Sequence, residues 1–377
     1  MSKTLQDYAT LINDTIQSNE INHYITTDNM CQNLGGIDTF KNINIPQGKV
    51  RSFQKDDILL SNIRLYFRKV YRAKQKGGCS SDVLVFRAKH IDSATLFAIL
   101  SSQIFTDYAC SGSQGSKMPR GNKTHMMDFK IPTINFTIAK IFNSIQNKIE
   151  NNHKINELLH KILELLYEQY FVRFDFLDEN NKPYQTSGGK MKFSKELNRL
   201  IPSGWSVRFL NHKIVSTYQP KTISKTLLND SYSYSVYGGG GIIGRFTEYN
   251  HEQSEFIISC RGQCGISYLT LPKSWITGNA MVIRPTKSYT SKTYLYHTIK
   301  KYKLTNYITG SVQPQITRQN LSTMPILIPK RKTLNKWNNI SSLLWNLIYN
   351  NMQSTQTLTA LRDFLLPLLL KQQVKPK

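Results

Sequence analysis

Two long segments of the chain carry apolar residues at alternating steps of three and four. The first lies in 134–172, and from Ile134 to Phe171 it contains neither Pro nor Gly. The second lies in 334–371, where Pro367 should end or bend a helix near its base. This spacing is the a/d pattern of a coiled coil. It predicts two long helices, each about 50–55 Å in length at about 1.5 Å per residue.

The predicted seams of both helices are mostly apolar, and each carries one Asn near its middle, Asn152 and Asn351. A buried Asn can fix the register of a coiled coil, so both are predicted register residues. The alternative is that each helix packs only on its own domain, where the period usually drifts to 3.6 residues. The seam positions are Ile141, Ile145, Asn152, Ile155, Leu159, Ile162 and Leu166, and then Trp337, Ile340, Leu344, Leu347, Asn351, Ser354, Leu358, Leu361, Leu365 and Leu368.

The remaining sequence reads as mixed α/β. Short apolar runs such as Val83–Phe86 and Met281–Ile283 are bounded by polar residues or Gly, as strands are, whereas 88–108 and 293–307 have helical spacing. The predicted order is a first globular domain at 1–133, a first long helix at 134–172, a linker and second globular domain at 173–333, a second long helix at 334–371, and a disordered tail at 372–377.

The two halves of the sequence match each other in order at an offset of 197 to 199 residues. A nearly fixed offset over separated blocks indicates duplication of a whole unit, a globular domain followed by a long helix. Paired antiparallel, the two helices would give a pseudo-two-fold fold. The matching blocks are DDILLSNIR (56–64) with SEFIISCRG (254–262), Asp82–Val85 with Ala280–Ile283, Ser111–Ser113 with Thr309–Ser311, Arg120–Asn122 with Arg318–Asn320, Met126 with Met324, Ile131-Pro132 with Ile328-Pro329, and Asn151-Asn152 with Asn350-Asn351.

The chain carries a large excess of positive charge, which bears on the kind of partner it binds. The chain of 377 residues has 49 Lys and Arg against 24 Asp and Glu, a net charge of +25. An excess of this size favours a polyanionic partner, most often nucleic acid. It is unevenly distributed, with +6 in 1–133, 0 in 134–172, +15 in 173–333 and +4 in 334–377. Two basic blocks separated by a neutral helix favour a bipartite target.

Several other classes of protein are disfavoured. There is no apolar run of about 18 residues and no cationic start followed by an apolar core, which leaves the cytoplasm as the expected location. The five cysteines are too few and scattered for a disulfide framework, and Cys260 and Cys264 have no second pair to complete a zinc site. No adenine-methylation, Walker or paired-carboxylate nuclease motif is present, and Gly238–Gly241 reads as a turn between strands.

Three segments of the second half carry a family resemblance. The run LYEQYFVRFDFLDENNKPYQTSGGKMKFSKELNRLIPSGWSVRFL (166–210) resembles the junction between the first conserved helix and the second target-recognition domain in specificity subunits of type I restriction-modification systems. Residues Tyr237–Gly244 and Ser259–Gly265 resemble the Gly-rich turn and following strand-loop of those domains. The resemblance covers nearly the whole chain and is strongest in 134–333. The first domain departs from it, since it lacks a matching Gly-rich turn and a counterpart of Trp205.

The resemblance implies a non-catalytic, sequence-specific DNA-binding subunit. In that family each domain reads one half-site of double-stranded DNA, the helices set the spacing, and two methyltransferase subunits and the restriction motor subunits dock on the assembly. This chain would then hold no cofactor, and S-adenosylmethionine and ATP would be bound by the partner subunits only. Two rival functions remain open: a non-catalytic scaffold that binds RNA or an acidic protein, and a stand-alone nucleic-acid enzyme.

The candidate DNA contacts lie in loops rich in Arg, Lys, Asn and Gln, the side chains that suit phosphates and base edges. Arg120 and Arg318, like Asn122 and Asn320, recur in both halves, so they either hold the loops or bind phosphate, or else read bases. Unmatched positions are better candidates for base reading. The set is Gln114, Lys117, Arg120, Asn122 and Lys123 in 111–124, Gln313, Gln315, Arg318, Gln319 and Asn320 in 309–320, and Tyr237, Arg245, Arg261 and Gln263 around the Gly-rich turn and strand-loop.

Overall fold

The computed structural model describes residues 3–38, 43–131, 134–229, 232–262, 264–310 and 313–370. The chain divides into two compact units. Unit 1 comprises Met1–Ile155 with Asn351–Lys377, and unit 2 comprises Asn156–Asn350. The predicted disordered tail at 372–377 lies outside the described residues.

Unit 1 is built of short strands and helices followed by the first part of a long helix. Its strands are β1 Ala9–Ile12, β2 Thr15–Gln17, β3 Tyr24–Ile25, β4 Lys49–Phe53, β5 Ile58–Ser61, β6 Val70–Arg72, β7 Gly77–Cys79 and β8 Val83–Ala88. Its helices are α1 Leu5–Tyr8, α2 Ser93–Leu100, α3 Gln103–Ser111, α4 Lys123–Met127 and, as far as Ile155, α5 Phe136–Tyr167. A π-helical turn, Glu168–Val172, continues α5 in unit 2.

The central sheet of unit 1 has the order β1-β8-β5-β6, with antiparallel neighbours, and a second sheet has the order β2-β4-β7-β3. Every residue of β5 is buried, because both faces of the strand are covered. Ile58 and Leu60 enter the cluster that includes α2, whereas Leu59 enters the cluster that includes Phe53 of the second sheet. The continuous apolar run of β5 is thus the signature of a strand between two cores.

Unit 2 has the same construction with an added N-terminal hairpin. Its strands are β9 Met191–Ser194, β10 Arg199–Pro202, β11 Ser206–Phe209, β12 Val215–Tyr218, β13 Tyr234–Gly238, β14 Gly241–Phe246, β15 Phe256–Ser259, β16 Ser267–Leu269, β17 Trp275–Ile276, β18 Ala280–Pro285, β19 Ile308–Thr309, β20 Gln315–Ile316 and β21 Pro325–Ile328. Its helices are α6 Lys292–Lys300, α7 Arg318–Leu321 and, as far as Asn350, α8 Arg331–Leu365.

The central sheet of unit 2 has the order β12-β18-β15-β16, again antiparallel, and a second sheet has the order β14-β13-β17. This order repeats that of unit 1 strand for strand, with β15 in the place of β5 and β18 in the place of β8. The predicted mixed α/β fold with a long helix after each domain is confirmed. The shared strand order also supports the duplication inferred from the sequence.

An ion pair is repeated with the strands. In unit 1 the Arg87 guanidinium donates to both Asp57 oxygens at 2.8 Å, and the Asp57 side chain is only 2% exposed. In unit 2 Arg284 pairs with Glu255 at 2.6 Å, from the equivalent strands. Each carboxylate lies directly before a buried strand, and the Arg of the neighbouring strand compensates its negative charge. A buried charge needs such a partner.

Within each unit the segments of α5 and α8 run antiparallel. In unit 1 the Asn152 amide donates to Thr355 Oγ1 at 3.1 Å, and Arg362 Nη1 donates to Gln146 Oε1 at 3.2 Å. In unit 2 the rings of His160 and Trp345 lie 5.0 Å apart, edge to face. In both units, residues later in α5 contact residues earlier in α8. The helix α8 ends at Leu365 and continues as a 3₁₀ turn, as predicted from Pro367.

The predicted seam was wrong at several positions. Ile155 and Ile162 are 43% and 44% exposed, and Leu361 is 44% exposed. The buried positions of α5 include instead Phe142, Ile149, Leu163 and Tyr167. Apolar residues thus occupy both an exposed and a buried face of the helix, and the three-and-four spacing assigned some exposed positions to the buried seam. Asn152, predicted to set the register, is buried, and Asn351 is half-buried. The other predicted positions that are exposed are Ile141, Leu347 and Ser354.

Candidate nucleic-acid interface

The basic loop of unit 1 is closed by backbone hydrogen bonds between Gln114 and Arg120. The Gln114 N–H donates to the Arg120 carbonyl at 2.9 Å, and the Arg120 N–H donates to the Gln114 carbonyl at 2.8 Å. The loop is tied to the segment after β5, where the Arg64 N–H donates to the Pro119 carbonyl at 2.9 Å. These bonds hold an exposed, polar loop on a rigid base.

Two of the five candidates in this loop have structural roles. Arg120 pairs with Asp82 at 3.0 Å, and Asn122 caps α4 by accepting from the His125 N–H at 3.1 Å. The alternative that these two residues hold the loop therefore has direct support. Gln114, Lys117 and Lys123 are exposed.

The equivalent loop of unit 2 is closed in the same way by pairing of Thr309 with Gln315 across β19 and β20. It leads into α7, whose N-cap Thr317 accepts from the Asn320 N–H at 3.1 Å. Gln315 closes its loop as Arg120 does, so these two residues are equivalent. Thr317 and Asn122 are equivalent as the N-caps of the helices that follow. The offset here is 195, so the pairing of Arg120 with Arg318 at 198 was wrong. Unit 2 simply has three residues fewer before this helix.

The corrected offset places Arg318 opposite Lys123, each the first residue of a short helix and each exposed. Gln313, Gln315 and Gln319 are also exposed, whereas the half-buried Asn320 donates its amide to the Tyr307 carbonyl at 3.2 Å. Asn320 is thus committed to holding its loop. Both units present a basic side chain at the same place in the fold.

Arg261 lies beside this loop, in an isolated antiparallel bridge with Gln315. The Ile316 N–H donates to the Cys260 carbonyl at 3.1 Å, which fixes the two segments together. A surface concavity opens between them, lined by Arg261, Gly262, Gln313, Pro314 and Gln315. In unit 1 the equivalent of this bridge joins Arg120 to Ile63, which is 9% exposed.

Two residues near the Gly-rich turn are removed from the candidate set. Tyr237 is 4% exposed, its hydroxyl accepts from the Leu271 N–H at 3.0 Å, and burial raises its pKa to about 12. Arg245 donates to the carbonyls of Tyr232 and Ser233, so its guanidinium holds a hairpin. Gln263, predicted beside Arg261, lies outside the described residues.

The Gly-rich run Gly238–Gly241 forms the turn between β13 and β14, as predicted. A Cβ on Gly239 would lie 2.8 Å from the Arg261 carbonyl oxygen and 3.1 Å from Ser259 Oγ. The absence of a side chain therefore lets the turn pack directly on the strand-loop that carries Arg261. This is a positioning role, distinct from phosphate binding.

The sequence search missed three features of this surface. They are Asp82, which engages Arg120; Thr317, whose capping role sets the true equivalence of the loops; and the exposed Ile242 beside the Gly-rich turn, 50% exposed. Thr317 followed by a short polar helix was the one available signal, since Thr is a favoured N-cap.

The thiols and metal-binding residues add no second site among the described residues. Cys79, Cys110, Cys260 and Cys264 form no disulfide among the described residues, and the Cys264 thiol donates to the Pro314 carbonyl at 3.1 Å, with its pKa raised by burial. No group of three or more His, Cys, Asp or Glu residues in the described ranges could hold a metal ion. Across the same ranges, no helix combines the length and apolarity needed to cross a bilayer.

Comparison with known proteins agrees with this geometry. Residues 202–360 match the family described as type I restriction modification DNA specificity domain. The chain is 22% identical over 310 residues to the specificity subunit of the type I restriction enzyme MjaIX from Methanocaldococcus jannaschii, covering 72% of this chain and 67% of that one. The crystal structure of the type I restriction-modification S subunit from M. genitalium superposes with a TM-score of 0.63 at 15% identity, covering 98% of this chain and 96% of that chain, and so shares the fold.

Proposed function

The chain belongs to the specificity subunits of type I restriction-modification systems, which recognise DNA without catalysing a reaction, and from that membership we propose that it reads a bipartite target. The observation that carries the proposal is the repeated sheet, which has the same strand order in both units but different side chains at the loop positions facing solvent. Two related domains with different reading loops suit two unlike half-sites. The proposed reading domains are 1–133 and 173–333.

The two long helices are proposed to pair as an antiparallel coiled coil that fixes the distance between half-sites. The contacts of Asn152 with Thr355 and of Asn156 with the Ile348 carbonyl support this proposal. Asn152 and Asn351 would fix the register, because buried polar groups penalise a shifted pairing. The spacer helices would occupy 134–172 and 334–371.

Lys123 and Arg318 are the proposed phosphate contacts. They share one place in the fold, and a residue that both units keep suits the backbone, which is the same in every DNA sequence. The proposed base-facing residues are those that differ between the units or lie exposed beside the loops. They are Gln114, Lys117, Arg261, Gln313, Gln315 and Gln319.

The family implies DNA together with methyltransferase and restriction subunits as partners. We propose two copies of the methyltransferase subunit, docked on the long helices, with S-adenosylmethionine and ATP held by the partner subunits and the assembly acting in the cytoplasm. Exposed apolar residues on both helices support docking there, including Leu165 and Phe364, which are 55% and 68% exposed.

The test is a selection of duplex DNA from a randomised library by the reconstituted methyltransferase complex. A split motif, with two defined parts separated by a fixed number of unspecified base pairs, is the expected result. Recovery of one continuous motif, of no motif, or preferential binding of RNA would contradict the proposal.

Arg318→Ala separates the backbone role from base reading. As a phosphate contact, it should weaken binding to all duplexes equally and reduce the slope of log K against log salt by about 1, because one counterion fewer is released. Lys123→Ala should do the same in unit 1. A loss confined to one base position would contradict the phosphate assignment.

A further inference from the structure

One pair of side chains in unit 2 is built differently from its counterpart in unit 1, and its chemistry suggests what it reads. Arg261 and Gln315 lie directly opposite each other in an antiparallel bridge. Residues opposed in this way point to the same face, with Cα atoms about 4.5–5.5 Å apart. The two side chains therefore leave the surface side by side, at the edge of the concavity that Gln313 also lines.

The backbone under this pair is held from both sides. The Ile316 N–H bonds to the Cys260 carbonyl, and Gln315 pairs with Thr309 in the next strand. Gly239 packs against the carbonyl of Arg261 itself. A Cβ added to Gly262 would meet no atom within 4 Å, so the surface beside Arg261 is open. The pair thus combines a rigid base with an unobstructed approach, which favours precise contacts.

The side chains are also available. Arg261, Gln313 and Gln315 are exposed, and among the described residues no side-chain hydrogen bond or ion pair engages them. Arg120 contrasts with Arg261, because its guanidinium is already paired with Asp82. In unit 1 the equivalent bridge joins Ile63 to Arg120, so unit 1 cannot present the same two groups.

Base recognition in the major groove assigns these groups to particular bases. An Arg guanidinium donates two hydrogen bonds to guanine O6 and N7, whereas a Gln amide pairs with adenine N6 and N7. Adjacent base pairs are about 3.4 Å apart along the helix axis, about 1–2 Å less than the Cα separation of two opposed residues in a bridge, and the long Arg and Gln side chains can span this difference.

We propose, on the basis of the proposed function, that Arg261 and Gln315 form a base-reading pair that recognises a guanine and a neighbouring adenine in the half-site bound by unit 2. Arg261 reads the guanine and Gln315 the adenine. Gln313, on the same concavity, is the next nearest group and contributes to the flanking position. The corresponding surface of unit 1 reads a different sequence.

The experiment uses the reconstituted complex and a duplex library randomised over both half-sites. Arg261→Ala should lose its preference for guanine at one position by about tenfold to a hundredfold, the range of a bidentate contact. Gln315→Ala should lose the preference for adenine at the neighbouring position. Every other position, including the whole half-site of unit 1, should keep its preference.

A chemical probe isolates the proposed contact. Replacing the selected guanine by 7-deazaguanine, which lacks the N7 acceptor, should weaken binding by the unaltered complex and leave Arg261→Ala binding unchanged. Arg318→Ala is the matched control, a neighbouring cation whose loss should lower affinity without altering base preference. Arg261 and Arg318 are both exposed, so neither replacement should unfold the chain. Melting temperatures equal to that of the unaltered chain will show that folding is retained.

The outcomes separate this inference from the proposed function. If the unaltered complex selects no sequence, the proposed function itself fails. If it selects a split motif that neither Arg261→Ala nor Gln315→Ala changes, only the base-reading pair is overturned. A uniform loss of affinity in Arg261→Ala, with base preference intact, would assign Arg261 to the phosphate backbone and overturn the inference as well.

Discussion

Single residues show that the duplication has preserved chemistry as well as shape. Asp57 and Glu255 differ in length, yet each lies at the start of an equivalent strand and each is paired with an Arg of the neighbouring strand. The repeated pair compensates a buried carboxylate, whereas Ile63 and Arg261, which occupy equivalent places in the bridges to the loops, differ completely. The ion pair between neighbouring strands is retained, whereas the positions proposed to read bases have diverged.

Asp57→Asn tests the structural ion pair. The variant should lower the free energy of unfolding by about 2 kcal/mol, because a charged acceptor of two Arg hydrogen bonds is lost at a buried site. Asp56→Asn is the control, since the Asp56 side chain is 49% exposed and lies 3.7 Å from Arg72, a surface pair that contributes roughly 0–1 kcal/mol. Urea denaturation of the full chain measures both. Equal losses in the two variants would remove the distinction between buried and exposed pairs.

Elements with a strong period were predictable from the sequence, and elements defined by a few residues were not. The strands β5 and β8 and the helix α5 follow from continuous or periodic apolar runs. The seam of α5 did not, because Ile155 and Leu163 are both apolar and only the partner helix decides which one is buried. The alignment of the two basic loops predicted from the sequence was also wrong. Unit 2 has three residues fewer before its short helix, and in the sequence only the N-cap Thr317 signals this difference.

The helix α6 carries a buried histidine whose protonation should govern stability at acid pH. His297 is 4% exposed, stacks on Tyr167 at 5.5 Å, and Nε2 has no hydrogen-bond partner among the described residues. Burial, reinforced by the nearby charge of Lys300, lowers its pKa to about 3. The unfolded chain takes up this proton near pH 6.5, so the stabilisation is present above pH 6.5 and is lost as pH falls towards 3.

His297→Phe keeps a ring in the same place and removes the titration. Between pH 7 and pH 5 the original chain should lose about 2 kcal/mol more free energy of unfolding than the variant, since each pH unit below the unfolded pKa costs about 1.4 kcal/mol. Chemical denaturation at the two pH values measures the difference. Equal losses in both proteins would show that His297 is not the group responsible.

The charge of the whole molecule fits a divided DNA-binding surface more closely than a uniform one. The net charge of +25 is concentrated in the sequence blocks of the two globular domains, and 134–172 is neutral. Phosphate attraction is independent of sequence, so in the proposed function this charge would supply general affinity, while the exposed polar side chains of the loops would supply specificity. The neutral segment 134–172 agrees with the proposal that the long helices bind protein partners and set the spacing.

Docking of two identical partners should depend on equivalent apolar residues of α5 and α8. Ile162 and Leu165 in unit 2 correspond, at an offset of 199, to Leu361 and Phe364 in unit 1, and all four are 44–68% exposed. Replacing either pair by Ser should reduce the bound methyltransferase subunits from two to one, measured by native mass spectrometry, and replacing both pairs should abolish binding. Phe193→Ser, at a 58% exposed site on β9, is the control. Retention of two subunits by the fourfold variant would contradict helix docking at these residues.

The spacing role of the helices can be tested by lengthening both. Seven residues inserted after Ile155 in α5 and seven after Asn350 in α8 add two helical turns, which preserves the face that each helix presents to its partner. At about 1.5 Å per residue the insertion adds about 10 Å, or roughly three base pairs at about 3.4 Å each. The selected motif should keep both half-sites and gain about three unspecified base pairs between them. A single-helix insertion is the control, since it disrupts the pairing and should weaken binding. An unchanged spacer in the double insertion would contradict the proposal that the helices measure distance.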